Sequence, residues 1–450
     1  MNDSWKHGGE GSSHLELLTY EVKDAAMDHQ TALQAGTLTI NAVELRSLLL
    51  EDSYFDDVVF DVVRPGEDAR LVHIIDVVEP RTRVSEPGSD FPGLLGAFRT
   101  VGRGTTHRLG GICITEVSEP VPGAATLWRE AMLDMSGAGA QYSPLSRLIN
   151  LVVEFRPNLE RLRQTESADK TDTLAAFAAG YDKAIRLAGL KAAVYLASIT
   201  AGLRPDRRET LRLAENDSLR ALPGVVYLLQ LQATYLYGEI LPPTGSVGEP
   251  GPLPTIIHPN EVLDGALVNA FTTMACTREA TYLMQNHAVI RELHRRHGES
   301  LDFRGVVLYT YGENNSSKER VAGHTANLAD LLGANGAILS SLGGGHATID
   351  LMLTCEKLER RGIATTLLLP EMATDPEDSG FVHFVREAQA IVSTGNYEQR
   401  VQLEPTGKVI GGMQLIDGHQ NASGSLDVPL RLIIGSTNQW GASQLRGRAR

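Results

Sequence analysis

The spacing of apolar residues changes character along the chain. In its first part the period is two. Gly36 to Ile40 alternates like a half-buried strand, and Val58 to Val63 and Leu71 to Ile75 are β-rich runs on either side of Arg64-Pro65-Gly66-Glu67. Pro-Gly between two such runs predicts a hairpin. Asn41, placed before an apolar stretch to Leu50, predicts a short capped helix. Further β-type segments are punctuated by Pro87-Gly88, Pro92-Gly93 and Gly110-Gly111, so residues 36–146 read as a β-rich module. The start, MNDSWKHGGEGSSH, is polar and has no apolar run, and residues 1–35 read as a flexible tail.

The period then lengthens to that of a helix. Leu148 to Val153 reads as a buried strand. Thr173 to Ala201 is rich in Ala and Leu, with Leu187, Leu190, Val194 and Ala197 on one face. Val225 to Leu231 reads as another buried strand, so residues 147–240 predict a right-handed parallel crossover. Leu241 to Pro254 is too dense in Pro and Gly for regular structure and reads as an exposed loop. Beyond a segment at 255–300 the pattern, over 301–450, is plain α/β. Gly305 to Thr310, Ala337 to Ser340, Ile363 to Leu369 and Ala390 to Ser393 read as strands. Between them, Ser316 to Glu319 has capping-box spacing, Val321, Thr325, Leu328 and Leu332 share a helix face ended by Gly333, and Ala347 to Arg361 forms a second helix. Strands alternating with helices predict a mostly parallel sheet with helices on both faces. The fold class is therefore α/β, with a β-rich module in front.

Composition narrows the field. A chain of 450 residues is too long for one ordinary core. A net charge of -14 excludes the dense basic stripe of a nucleic-acid surface. Three cysteines are no disulfide framework and point to the reducing cytoplasm. Leu187 to Leu203, interrupted by Lys191, is short for a membrane span. There is no His-Glu-x-x-His, no paired Cys-x-x-Cys and no Gly-x-Ser-x-Gly, which removes the zincin and hydrolase signatures.

Two glycine-rich loops are candidates for binding. Asp134, Ser136 and Tyr142 stand in DMSGAGAQYSPLS, where backbone N–H groups and hydroxyls could hold an anion. The same glycines equally suit a tight loop with positive φ. Gly343, Gly344 and Gly345 follow a strand and open a helix, with His346 next. That order is not the full dinucleotide fingerprint. A substrate carboxylate at the helix N-terminus is a better reading than a nucleotide, because sites of this class sit beyond strand C-termini; a loop with only structural duty is the other reading. Tyr311 to Asn314, including Glu313, and Gly395-Asn396 would face the same crevice. Cys113 and Cys355 read as buried small hydrophobes.

The segment from Pro254 to Tyr282, PTIIHPNEVLDGALVNAFTTMACTREATY, joins a His-Pro turn at His258, an Asp-Gly pair at Asp264 and a small-residue run. It resembles the self-processing region of the glycine/sarcosine/betaine reductase component B proproteins. RPGEDARLVHIIDVVEPRTRV, DFPGLLG, VGRGTTHRLGG and DMSGAGAQYSPLS are similar to that family's N-terminal motifs and stand in the same order. The resemblance covers roughly residues 36 to 440. It implies a subunit that binds a small amine, such as glycine, sarcosine or betaine, in a hetero-oligomer. A partner carrying cysteine or selenocysteine would attack the substrate's α-carbon. In the family an Asn-Cys bond is cut and the Cys becomes a pyruvoyl cap. Here the aligned pair is Phe271-Thr272, and the second family cysteine is present as Cys276.

Thr272 and Thr273 each carry a hydroxyl able to make the acyl shift, as Cys276 carries a thiol. Elimination from threonine would leave a 2-oxobutyryl group, and hydrolysis alone a free N-terminal threonine. The replaced pair argues against a pyruvoyl cofactor and for an uncut chain. The expectation is a substrate-binding subunit of a reductase-like complex that cleaves a C–N or C–heteroatom bond. The alternatives are a non-catalytic docking partner and a threonine-based self-processing enzyme.

Overall fold

The computed structural model describes residues 14–124, 129–164, 170–213, 219, 221–241, 253–270, 279–375, 380–439 and 446–448. Two four-stranded sheets build the first part of the molecule. One runs Arg207–Leu211, Leu15–Glu21, Gly104–Gly110, Arg81–Arg83; the other runs Phe55–Val63, Ile149–Pro157, Ile112–Val117, Ile74–Val78. The helix Lys170–Ser198 lies on the second sheet. Its Tyr181, Ile185, Ala188 and Ala192 pack with Ile112, Ile114, Leu151 and Val153 in one apolar core. A Cβ on Gly189 of this helix would overlap the Glu116 carboxyl, so the glycine permits the close approach.

The second part is a seven-stranded sheet in the order Thr255–Ile257, Asp302–Tyr309, Gly224–Gln230, Gly336–Ser340, Ala364–Glu371, Ile391–Asn396, Arg446–Arg448. Its five inner strands are mutually parallel. The alternation within Gly224–Gln230 shows why both faces are covered. Val226 and Leu228 bury against the helices Asn315–Leu331 and His346–Glu359, through Val321, Ala326, Leu351 and Leu358. Tyr227 and Leu229 point the other way, into a core with Val262, Met284, Ile290 and Leu293 of three shorter helices, and with Leu15 and Leu17 of the first sheet. The mixed α/β class with a mostly parallel sheet follows. No described helix is long and apolar enough to cross a membrane.

Strands from either side of the 271–278 stretch interleave. Gly224–Gln230 lies between Asp302–Tyr309 and Gly336–Ser340. Ala69–Leu71 of the front module pairs with Lys408–Ile410 from near the end of the chain.

Several local expectations fail for non-local reasons. Residues 14–35 of the expected tail form the strands Leu15–Glu21, Asp24–Asp28 and Ala32–Gln34; Leu15 and Leu17 are fully buried. The expected hairpin is absent. Phe55–Val63 pairs with Ile149–Pro157, while Ala69–Leu71 pairs with Leu133–Asp134, and the Gly66 N–H at the turn donates to Met135 O at 2.9 Å. The crossover is absent too, because Ile149–Pro157 and Gly224–Gln230 belong to different sheets. Between them, Arg207–Leu211 returns to pair with Leu15–Glu21. The helix expected to be capped near Ser316 is capped two residues earlier, by Asn314, whose side chain accepts from Ser317 N at 2.9 Å. Asn41 caps Ala42–Leu49 as its position predicts, and Gly333, at φ 67°, closes Asn315–Leu331. The Pro/Gly-rich stretch falls largely on residues 242–252, outside the described residues.

Candidate functional site

Numbered in chain order, the five parallel strands lie in the sheet as second, first, third, fourth and fifth. The order reverses between Gly224–Gln230 and Gly336–Ser340. The loops leaving two such strands part in opposite directions, which opens a crevice beyond their C-terminal ends. A cavity lies there, lined among others by Gln230, Gln232, Thr234, Glu279, His287 and Leu342.

Its polar atoms are incompletely satisfied. Gln230 Nε2 donates to Ala347 O at 3.0 Å, but Gln230 Oε1 has no partner among the described residues. Tyr227 OH lies 3.2 Å from His287 Nε2 and also meets Ser340 Oγ, whereas His287 Nδ1 has no partner among the described residues. Burial drives the His287 pKa down to about 3, so the ring is neutral. Glu279 is half-buried, yet its Oε2 is sealed from solvent and unpartnered among the described residues. Burial raises this carboxyl to about 8, against one hydrogen bond from Gln439.

The Gly343–Gly345 loop follows Leu342 of the lining and packs against Gln232, another lining residue. A Cβ on Gly343 would overlap Gln232 Nε2, and one on Gly344 would overlap Met372 Sδ. Gly345 is the N-cap of His346–Glu359, at φ 61° and ψ -116°. Behind the loop, buried Lys318 donates to Asp350 Oδ2 at 2.6 Å and to Gly312 O at 2.5 Å, while Gly312 N donates to Asp350 Oδ1 at 2.8 Å. This bridge fixes the turn after Asp302–Tyr309 to the first turns of both neighbouring helices.

On the far side of Glu279 lies a buried ionic cluster. Thr281 donates to Asp76 from its N–H at 2.9 Å and from Oγ1 at 2.5 Å, and Thr281 Oγ1 also accepts from Asn269 N at 2.9 Å. The residues flanking 271–278 are thereby pinned to each other and to the front module. Asp76 sits opposite Glu116 in the strand ladder. Burial raises Asp76 to about 6, with the Thr281 hydrogen bond opposing it. Burial, then the charge of Asp76, pushes Glu116 well above the usual carboxylate range. Both effects favour the neutral form of Glu116, against the charge of Arg186. Both Glu116 oxygens, and Arg186 Nε and Nη2, lack hydrogen-bond partners among the described residues.

The residues singled out from sequence divide into separate places. Thr272, Thr273 and Cys276 lie outside the described residues. Gly343, Gly344, Gly345 and exposed His346 border the crevice; the His346 ring lies 6.4 Å from that of Tyr311. Glu313 is exposed at the same edge. Asp134 is instead locked in a buried bidentate pair with Arg70, at 2.6 and 2.9 Å, and its loop packs against Leu403 and Glu404 from the last part of the chain. Ser136 and Tyr142 belong to that loop, and Tyr142 packs against the Val401–Leu403 core. His258 is the N-cap of the helix Pro259–Leu263, accepting from Asn260 N at 3.2 Å. Asp264 is buried and accepts from Arg83, from Gly102 N at 2.7 Å and from Thr106 Oγ1 at 2.6 Å. These last residues hold structure together and do not reach the crevice. His107, from another motif, is bonded to Thr200 Oγ1 at 2.8 Å.

Sequence reasoning missed Gln230, Glu279, His287 and Asp76. One signal was available: Asp76 interrupts the apolar run Ile74–Val78, in which every residue is buried. A charge in such a strand has to be paired or protonated.

The family of glycine/sarcosine/betaine reductase component B subunits matches residues 13–448. The chain is 32% identical to the glycine reductase complex component B subunits alpha and beta of Peptoclostridium acidaminophilum, over 96% of this chain and 99% of that one. It is 30% identical to the sarcosine reductase complex component B subunit alpha of the same organism, with the same coverage of both chains. A third relative, its betaine reductase complex component B subunit alpha, is 30% identical over 89% of this chain and 88% of its own. No solved structure matches the chain.

Proposed function

The chain belongs to the glycine/sarcosine/betaine reductase component B subunits, and from that premise we propose that it is the substrate-binding subunit of a cytoplasmic complex that reductively cleaves the C–N bond of a small amino acid or betaine. The observation that carries the reading is the switch-point cavity, lined by Gln230, Glu279 and His287, each with a buried polar atom that has no partner among the described residues.

In this reading the substrate's nitrogen enters the cavity. Its carboxylate lies over the Gly343–Gly345 loop, toward the N-terminus of His346–Glu359. The α-carbon is left facing the open edge, where a partner subunit presents a cysteine thiolate or selenolate. That nucleophile forms a bond to the α-carbon as the C–N bond breaks, and the bonding pair goes to nitrogen. A substrate held as its ammonium departs as neutral amine and needs no added proton. The carboxymethyl group stays on the partner as a thioether or selenoether. No Schiff base is required, which agrees with Thr272 standing where the family has its pyruvoyl precursor.

Thermal unfolding of the chain with glycine, sarcosine or betaine tests this. At a ligand concentration 100-fold above Kd, one of the three should raise stability by about 2.7 kcal/mol. Stabilisation by none of them would leave a non-catalytic docking role.

A further inference from the structure

The cavity places acceptors where a ligand nitrogen would sit. Gln230 is 4% exposed, and its one placed donor bond, to Ala347 O, turns the amide so that Oε1 is left over. Glu279 Oε2 is likewise sealed and without a partner among the described residues. Thr234 Oγ1 gives its hydrogen to Gln232 O at 3.1 Å and keeps its lone pairs. Buried acceptors of this kind are costly until a donor reaches them. The enclosed space is small, about 10 Å³, roughly the room of one water-sized group. A nitrogen bearing hydrogens has that size and supplies the donors. A nitrogen bearing methyl groups alone is several times larger and supplies none.

We propose that Glu279, with Gln230, is a specificity determinant that accepts ligands whose ammonium carries N–H and refuses a quaternary ammonium. The inference rests on the cavity being the amino-acid site. Glu279 is protonated when no ligand is bound and gives its proton to solvent as an ammonium arrives, so that it then contributes the charge while Gln230 contributes the direction. An N–H-bearing ammonium satisfies both acceptors at once. A trimethylammonium would bury the Glu279 charge against methyl groups and leave Gln230 Oε1 unpaired. Discrimination of this type works through the unpaired group left behind, and so is larger than a methyl group's size alone would give.

The test is calorimetric titration of the full chain with glycine and its N-methyl, N,N-dimethyl and N,N,N-trimethyl derivatives, repeated on Glu279→Gln. Expected is weakening along the series, with the trimethyl compound at least about tenfold weaker than glycine. Glu279→Gln should weaken glycine by about tenfold or more and so narrow that ratio. Equal or tighter binding of the trimethyl compound by the unsubstituted chain overturns the inference and leaves the amino-acid site standing. So does a ratio unchanged in Glu279→Gln. If none of the compounds binds, the site itself falls, and this inference with it. The unsubstituted chain's series decides the matter even if the variant does not fold.

Discussion

Thr281 Oγ1 donates to Asp76 Oδ2 at 2.5 Å across a separation of 205 residues. It is one of a pair of bonds, and Asp76 has no other side-chain donor among the described residues. Replacing Thr281 by Val keeps the shape and removes the hydroxyl. Asp76 Oδ2 is then buried without a donor, which costs about 1–3 kcal/mol. Urea unfolding should show the midpoint moving down by that amount with an unchanged slope. Glu116→Gln is the contrast. Burial favours the neutral form of its carboxyl, which makes no hydrogen bond among the described residues, so the change should stay within about 0.5 kcal/mol. Equal losses in the two variants would mean that Glu116 is ionised and paired.

Stability should fall as pH rises through neutrality. Asp76, at about 6, and Glu279, at about 8, both lie above the ordinary carboxylate value because of burial. The folded chain therefore keeps protons that the unfolded chain has released. Their contribution is complete below the ordinary carboxylate pKa and is lost as pH rises through about 6 and then about 8. His287, lowered to about 3, works the opposite way: its contribution is complete only above the ordinary histidine value and is lost as pH falls from there through about 3. Urea midpoints should decline between about pH 7 and pH 9, above the range where the buried histidines act, and Glu279→Gln should flatten that decline. A rise across that interval would show the Glu279 carboxyl ionised in the folded chain.

The intact mass under denaturing conditions should be that of the uncut 450-residue chain. Phe271-Thr272 lacks the thiol that makes the family's acyl shift and elimination efficient. Two fragments meeting at that bond would instead establish self-processing. The mass of the second fragment would tell a free threonine from a 2-oxobutyryl cap.

The three glycines of the crevice wall differ in why they are needed. At Gly345 the backbone, φ 61° and ψ -116°, disfavours any side chain, although a Cβ would meet nothing within 4 Å. Gly345→Ala should cost about 1–2 kcal/mol of stability through the backbone alone. Gly343→Ala drives a methyl group into Gln232 and Ala347. Its effect should fall on ligand affinity, by about tenfold or more, because the loop has to move into the cavity or away from it. Melting curves with and without glycine separate the two. Unchanged affinity in Gly343→Ala would show that the loop is not part of the site.

The part of this fold legible in the sequence is the part set by local rules. Strand and helix alternate from Asp302 onward because each βα unit closes within a few tens of residues, and the glycines at 343–345 announce the sheet's working edge. The front module obeys no such rule. Phe55–Val63 finds its partner at Ile149–Pro157 and Leu15–Glu21 finds one at Gly104–Gly110, so turn chemistry at Pro65-Gly66 predicted the wrong neighbour. The site was half visible for the same reason. Its glycine wall is a contiguous motif. Its polar lining is assembled from Gln230 and from Glu279 and His287, which stand far along the chain from it, so no local pattern announces it.

The interleaving of the large sheet makes the covalent link across 271–278 redundant. Gly224–Gln230, from before that stretch, is hydrogen-bonded on both sides by strands from after it, and Lys408–Ile410 reaches back to Ala69–Leu71. Severing the link would create two polypeptides but not two bodies. Neither could leave without unzipping the sheet. A chromatographic column run in native buffer would be blind to the event, and two separately encoded halves would have to find each other before either could finish folding. Whether this architecture is written as one gene product or two is therefore a question of bookkeeping at the ribosome, with no echo in the finished shape.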